Sequence, residues 1–222
     1  MQKFETPAPV SAVLDIPAGR IQFIAADRAD TTVEVRPVDA SKGRDVKAAE
    51  QIEVVYGDGV LRVEAPAAKN RILGAFGSVE VTVQLPAGSR VEAKAAAAEL
   101  RVVGRLGDID FEGAHGAVRI DEAASVRLTA TGDVSVGRLG GPAEISTQQG
   151  AIHIAEAVHG TVVLTTQMGD LSIGAARGVS ASLDAGTSYG RINNSLKNTD
   201  GAAAGLNIRA TTAHGDITAR SL

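Results

Sequence analysis

A short phrase, Thr-x-x-Gly, recurs five times in the second half of this chain and limits the fold more than any other feature. Its members are Thr129 and Gly132, Thr147 and Gly150, Thr166 and Gly169, Thr187 and Gly190, and Thr212 and Gly215. The glycines follow one another at intervals of 18, 19, 21 and 25 residues. Apolar and polar residues alternate before each threonine and after each glycine, which is typical of half-buried β-strands. Each repeat is therefore predicted to hold two short strands and two turns.

One repeat of this length cannot bury its own apolar side chains, whereas repeats stacked about 4.8 Å apart can share a continuous core. The pattern therefore predicts an all-β protein with a parallel β-solenoid, in which each coil of about 18–21 residues has two short strands. A narrow interior of this kind is filled best by aliphatic side chains. The composition agrees, because 44% of the residues are hydrophobic and only 3% are aromatic.

Residues 1–105 alternate in the same way but lack the strict repeat. Pro-Ala-Gly turns at Pro17–Gly19 and Pro86–Gly88 and a hairpin signal at Tyr56–Val60 separate the predicted strands. We expect a short helix over Arg44–Glu50 and a surface loop over Ala67–Gly77. The strands of this portion are expected to be mostly antiparallel and to cap the solenoid.

These patterns predict a simple organisation. Residues 1–222 would form one continuous β domain. Residues 1–105 would be its antiparallel N-terminal portion, and residues 106–222 the repeat solenoid.

Three segments of the repeat region, Leu164–Leu171, Tyr189–Leu196 and Gly215–Arg220, resemble the bacterial β-strand-repeat family of unknown function that is often labelled "putative adhesin". The segment Val79–Arg90 also resembles this family, so the resemblance spans nearly the whole chain. It implies a β-solenoid fold. It implies no catalytic residue, because the family has no established ones.

The Gly-Asp pairs in the repeats invite comparison with calcium-binding β-rolls, where aspartate stands beside glycine in a repeating turn. Stacking in chain order would align the residues that follow the turn glycines: Ala117, Asp133, Ala151, Asp170, Arg191 and Asp216. No two aspartates would then be neighbours, so no paired carboxylates would remain to share an ion. We interpret these aspartates as turn residues and expect no metal and no cofactor.

The threonines are expected to form a ladder at one corner of the coils, with each hydroxyl serving a neighbouring turn. Ice-binding solenoids also display regular threonines, but here only one falls at this corner in each coil. The four histidines are expected to be surface residues, too far apart for a zinc site or an acid–base pair. They are His115, His153, His159 and His214.

The sequence contains no nucleophile elbow, no P-loop and no dinucleotide-binding glycine motif. It also has no cysteine, which excludes thiol catalysis and disulfides. Polysaccharide-cleaving β-helices remain an alternative, but they use wide coils and aromatic side chains that stack on sugars, whereas this chain has no Trp and short turns. The chain is therefore expected not to be an enzyme.

Six outward residues are predicted to line one sheet of the solenoid and form a candidate interaction face: Arg119, Ser135, His153, Ser172, Asn193 and Thr218. A second outward row is predicted on the other sheet: Asp110, Arg127, Glu144, Val163, Ser182 and Asn207. Both rows are small and polar, which favours a solvated face or a repetitive contact with a protein partner. We therefore expect a structural or protein-interaction module.

The net charge of −4 argues against a nucleic-acid partner, because nucleic acid binds to basic surface patches. No apolar run approaches the roughly 20 residues that span a membrane, and the first residues lack a secretory pattern, so a cytoplasmic protein is expected. A surface adhesin or carbohydrate-binding solenoid is the alternative. The last coil is expected to leave an open parallel edge, so pairing with a second copy also stays open.

Overall fold

The computed structural model describes residues 1–66, 77–113 and 115–222, and the chain divides into two compact units, Met1–His115 and Gly116–Leu222. The loop predicted over Ala67–Gly77 lies almost entirely outside the described residues. Strands dominate both units, with one α-helix in the described part of the chain. The all-β prediction is confirmed.

The first unit contains seven strands and the helix. The strands are β1 (Gln2–Glu5), β2 (Ser11–Ala26), β3 (Asp30–Pro37), β4 (Glu53–Gly57), β5 (Val60–Glu64), β6 (Val79–Pro86) and β7 (Arg90–Gly113), and the helix is α1 (Gly43–Gln51). The helix lies within one residue of its predicted span at each end. The predicted hairpin joins β4 to β5, and Asp58 and Gly59 adopt positive φ angles of 51° and 76° at its turn.

The strand directions in the first unit differ from the prediction. Three pairings are antiparallel: β1 with β3, β3 with β6, and β4 with β5. The long strand β2, however, pairs in parallel with β5, β6 and β7. The N-terminal portion is therefore mixed rather than mostly antiparallel. The first part of β2 pairs with β5, the second part pairs with β6, and both parts pair with β7. A glycine is required at position 19, since a Cβ there would lie 1.8 Å from the Val79 carbonyl oxygen.

Two polar contacts hold the periphery of this unit. Asp45 of α1 is buried, and its Oδ1 accepts a hydrogen bond of 3.0 Å from the Ser78 amide just before β6. At the edge of the sheet, Asp30 of β3 forms ion pairs with Arg28 at 2.8 Å and with Lys3 of β1 at 3.1 Å. Hydrogen bonds from these two cations lower the pKa of Asp30 from 3.8 to about 2, and Arg28 has the larger effect. The carboxylate therefore stays charged except in strong acid.

The second unit contains ten strands. They are β8 (Val118–Ala130), β9 (Val134–Leu139), β10 (Ala143–Gln149), β11 (Ile152–Ala157), β12 (Gly160–Met168), β13 (Leu171–Ala175), β14 (Ala181–Tyr189), β15 (Ile192–Ser195), β16 (Leu206–His214) and β17 (Ile217–Ser221). In the part of the chain that the structure describes, these strands pair with one another in parallel throughout. The predicted solenoid with two short strands in each coil is confirmed.

The two ladders of this unit have the same coil order. One runs β8–β10–β12–β16–β14, and the other runs β8–β9–β11–β13–β17–β15. The coil formed by β16 and β17 comes last in the chain but lies between the β12–β13 coil and the β14–β15 coil. The prediction that the last coil ends the stack is therefore wrong, and β14 and β15 occupy the end.

The connection of residues 196–205 makes this order possible, because it is long enough to carry the chain back over one layer. Side chains fix the same order. The Thr212 hydroxyl donates to the Gly169 carbonyl at 3.1 Å, and the Thr187 hydroxyl donates to the Gly215 carbonyl at 3.0 Å. The inward residues of the inserted coil are fully enclosed, with Ile208 at 2% and Ile217 at 1% exposure.

Candidate interaction surface

The six residues of the predicted interaction face form one unbroken row, which we call the polar row. Its order is Arg119, Ser135, His153, Ser172, Thr218 and Asn193. The first four follow the predicted order, and the last two are exchanged because the last coil is inserted. Arg119, Ser135, His153 and Asn193 are exposed, and the other two are half-buried. The structure thus brings all six together on the outer face of one sheet.

A second set of side chains on the same sheet is tied together by charge. Arg138 of β9 approaches Glu122 of β8 at 3.1 Å and Glu156 of β11 at 3.7 Å. These ion pairs are partly exposed and contribute little stability. The one arginine and two glutamates leave a single negative charge, which Arg119 of the polar row offsets.

The second predicted row is only partly correct. Arg127, Glu144 and Val163 do align, but the row continues with Arg209 and Asp184. Asn207 and Ser182 lie two residues earlier on their strands, where they pair with each other, and Asp110 belongs to the first unit. The error arose because the prediction aligned the start of β14 with the interior of β12.

The corner of the coils is built by a threonine ladder, as predicted. Thr147, Thr166 and Thr212 are buried, and each donates its hydroxyl to the carbonyl oxygen of a turn glycine in the neighbouring coil at 3.1–3.2 Å. Thr187 makes the same contact at 3.0 Å. Thr129 does not belong to the ladder, because the register pairs Ala130 with Thr147 and leaves Thr129 pointing outward.

The turn glycines form a column in which backbones approach closely. A Cβ on Gly132, Gly150, Gly169 or Gly215 would lie 2.0–2.5 Å from a backbone atom of the neighbouring coil's glycine. All four have φ between 134° and 150°, a backbone conformation that residues other than glycine rarely adopt. Gly190 of the end coil does not share this φ, yet a Cβ there would still lie 1.9 Å from the Gly215 carbonyl oxygen.

The aspartates that follow the glycines cap the backbone of the next coil. Asp133 accepts from the Ala151 amide, Asp170 from the Asp216 amide and Asp216 from the Arg191 amide, each at 2.8 Å. The predicted separation of all aspartates is wrong, because coil insertion makes Asp170 and Asp216 neighbours. Their hydrogen bonds still explain them as turn residues. Across the described residues, no three His, Asp or Glu side chains are grouped to hold a metal ion.

Replacing Asp170 tests this capping role. Asp170→Ala should lower the free energy of unfolding by about 1 kcal/mol, because the Asp216 amide loses its acceptor. Asp170→Asn keeps an acceptor oxygen and should cost less, as urea unfolding of both variants would show. Calcium at several millimolar, above the dissociation constants of roughly 0.1–1 mM of weak calcium modules, should leave the melting temperature of the unmodified protein unchanged. A rise with calcium would contradict the turn interpretation.

One surface feature was missed by the sequence interpretation. The ring of Tyr189 stacks on that of His214 with centroids 4.8 Å apart and planes inclined by 5°. Met168 pairs with His214 in the next coil, and Met168 and Tyr189 are 52% and 71% exposed. In the sequence, each of these residues stands one position before a turn glycine. Their contact could be predicted only with the coil order, which makes the coils of Met168, His214 and Tyr189 neighbours.

Two depressions on the described surface are shallow. One of about 260 Å³ is lined by Asp15, Lys94 and Glu112 with neighbouring small residues, and one of about 100 Å³ lies beside Ser180 and Lys197. Small-molecule pockets usually have about 300–1,000 Å³. Neither depression reaches that range.

A family model described as Toastrack DUF4097 matches residues 11–220 of the chain. The chain belongs to this Toastrack family. The resemblance predicted from the repeat segments is therefore confirmed. No match was found among curated proteins. In the part of the Toastrack chain that the structure describes, no helix is long and apolar enough to cross a membrane.

Solved structures of several bacterial proteins are similar to the Toastrack chain. The crystal structure of a "putative adhesin" from Bacteroides fragilis NCTC 9343 has 14% sequence identity and a TM-score of 0.51, and the match covers 98% of this chain and 95% of that one. A second "putative adhesin", from Parabacteroides distasonis ATCC 8503, has 14% identity, the same coverage and a TM-score of 0.42. At this identity the likeness to the first structure concerns the fold alone.

Proposed function

We propose that this Toastrack chain is a non-catalytic β-solenoid that acts as a structural or protein-interaction module, with the polar row as its contact surface. The observation that carries the proposal is the continuity of the row over six strands of one sheet. In-register parallel pairing spaces its side chains about 4.8 Å apart, so the row extends roughly 24 Å. A surface of this length suits another protein rather than a small ligand.

The chemistry of the row supports a protein partner. It combines one cation, one histidine and four hydroxyl or amide side chains, and the flanking Arg138 is already engaged by Glu122 and Glu156. Nucleic acid would require an excess of positive charge. Hydroxyl, amide and imidazole groups can donate and accept hydrogen bonds, as a polar protein contact needs.

A variant at the middle of the row tests the proposal. His153→Glu adds a negative charge to an exposed position, so the fold should persist while capture of a specific partner falls at least tenfold. Thr165→Glu is the matched control, because Thr165 is also exposed but lies on the other sheet. Partners would be captured from lysate by tagged protein and quantified by mass spectrometry. If the two variants and the unmodified protein recover identical partners, the polar row is not the contact surface.

The non-catalytic part of the proposal rests on the absence of catalytic motifs from the sequence. A screen for glycan and ester hydrolysis with purified protein should show no turnover. Reproducible turnover that survives repurification would overturn it.

A surface adhesin or carbohydrate-binding solenoid is the second candidate, favoured by the name "putative adhesin" of the similar Bacteroides fragilis structure. It differs from the first candidate in location, for which we propose the cytoplasm. Fractionation of the native host, followed by immunodetection, separates the two: protein found at the cell surface would favour the adhesin.

A further inference from the structure

The end of the second unit's stack is left open by the inserted coil. The inward residues Leu183, Ala185 and Ile192 of β14 and β15 are half-buried or exposed, with Ile192 at 47%. Their partners one layer inside, such as Ile208 and Ile217, are at most 2% exposed. We define the open end as β14, β15 and these inward side chains, and it presents an apolar strip that a further layer would cover.

The backbone at the open end is also unpaired on one side. The Leu206 amide of β16 donates to the Ser180 carbonyl, so the adjacent Ala181 amide faces the other way, where it donates to the Lys197 carbonyl at 3.0 Å. Beyond that contact, alternate residues of β14 from Leu183 onward direct their amides and carbonyls away from β16. On β15 the Ile217 amide donates to the Arg191 carbonyl, so Ile192 faces outward in the same way. Among the described strands, none pairs with β14 or β15 on this outer side.

We infer that the open end binds the open end of a second copy of this chain, giving a dimer with two-fold symmetry. An occupant must offer two strands of opposite direction, separated as β14 and β15 are, together with an apolar strip between them. A single extended peptide could satisfy only one of the two edges. A second copy satisfies both, because a two-fold axis sets β14 antiparallel to its mate and β15 antiparallel to its mate, with matched strand lengths.

The charges of the end coil permit this contact. Asp184 is engaged by Arg209 at 3.4 Å, and Arg191 is engaged by Asp216 at 3.5 Å. Both ion pairs lie within one copy, so these four charges add no net charge to the contact. Asn194 is the one polar side chain in the inward row of β15. Its Oδ1 accepts from the Leu196 amide at 3.0 Å, which leaves the Nδ2 group as a donor toward the second copy.

The area of the open end sets the expected strength. Nine residues of strand and the spacing between sheets give roughly 30 Å by 10 Å, or about 300 Å² in each copy. Stable dimers usually bury about 800 Å² in each partner. The dimer is therefore weak and depends on concentration, with dissociation in the micromolar range or above.

Sedimentation velocity of the full chain from about 10 to 500 µM, which brackets weak association, tests the inference. The unmodified protein should change from monomer to dimer as its concentration rises. Ile192→Lys should weaken dimerisation at least tenfold, whereas Met168→Lys, a similarly exposed apolar position two layers inside, should behave as the unmodified protein does. A monomer at all concentrations, equal dimerisation by all three proteins, or growth beyond the dimer would overturn the inference.

Cross-linking gives a second readout that does not depend on a destabilising change. The chain has no cysteine, so Asn194→Cys introduces a single thiol. In the dimer two such thiols lie within roughly 10 Å of each other, since β15 is short, and a short bismaleimide should join them. Met168→Cys should not be joined. Equal yields for both positions would contradict the end-to-end arrangement, and neither test involves the polar row.

Discussion

Gly169→Ala is expected to lower the free energy of unfolding by about 3 kcal/mol or more, because the new methyl group meets backbone rather than a movable side chain. Its Cβ would lie 2.1 Å from the Gly150 carbonyl oxygen, and the φ of 150° adds strain to any side chain. Since domains of this size are stable by only about 5–15 kcal/mol, thermal unfolding should occur many degrees lower.

Gly186→Ala is the matched control for this substitution. Gly186 lies in β14, no atom comes within 4 Å of its hypothetical Cβ, and its φ is not left-handed. The control should change stability by less than about 0.5 kcal/mol. Similar melting temperatures for Gly169→Ala and Gly186→Ala would mean that the glycine column does not hold the coils at the observed spacing.

The inserted coil leads to the second large effect. Ile217→Asp should cost about 4 kcal/mol or more, because it places a charge between two layers without a partner. Ile192→Asp changes the same residue type one layer further out, where the side chain is 47% exposed, and should cost about 1 kcal/mol or less. Chemical unfolding of the two variants measures the difference.

The comparison of these two isoleucines decides the coil order. If the coils stacked in chain order, Ile192 would be internal and Ile217 would lie in the last coil. The larger loss would then follow Ile192→Asp. That reversal is the result that would contradict the ladders described here.

The sequence predicted the strands, the corners and the polar row because alternation and turn glycines are local properties. Alternation records which face of a strand a residue occupies, so the outward positions of Ser135 and His153 could be derived from it. The threonine ladder followed from the same spacing. The prediction was wrong only for Thr129, because Ala130 and not Thr129 pairs with Thr147 at the corner.

The strand directions of the first unit and the coil order of the second unit were predicted wrongly, since both depend on partners distant in the chain. The parallel pairing of β2 with β5, β6 and β7 joins segments separated by long connections, and alternation does not record direction. The inserted coil left one trace, the interval of 25 residues between Gly190 and Gly215, which exceeds every other interval in the series. The extra residues carry the chain back over one layer.

Interleaving of the last coil also affects how this unit responds to force. In a solenoid that stacks in chain order, tension on the C-terminal strand peels one ladder, and the hydrogen bonds break one after another. Here β17 is bonded to β13 on one side and to β15 on the other. Tension on Leu222 must therefore shear two ladders at once. The last strand is therefore clamped between two layers.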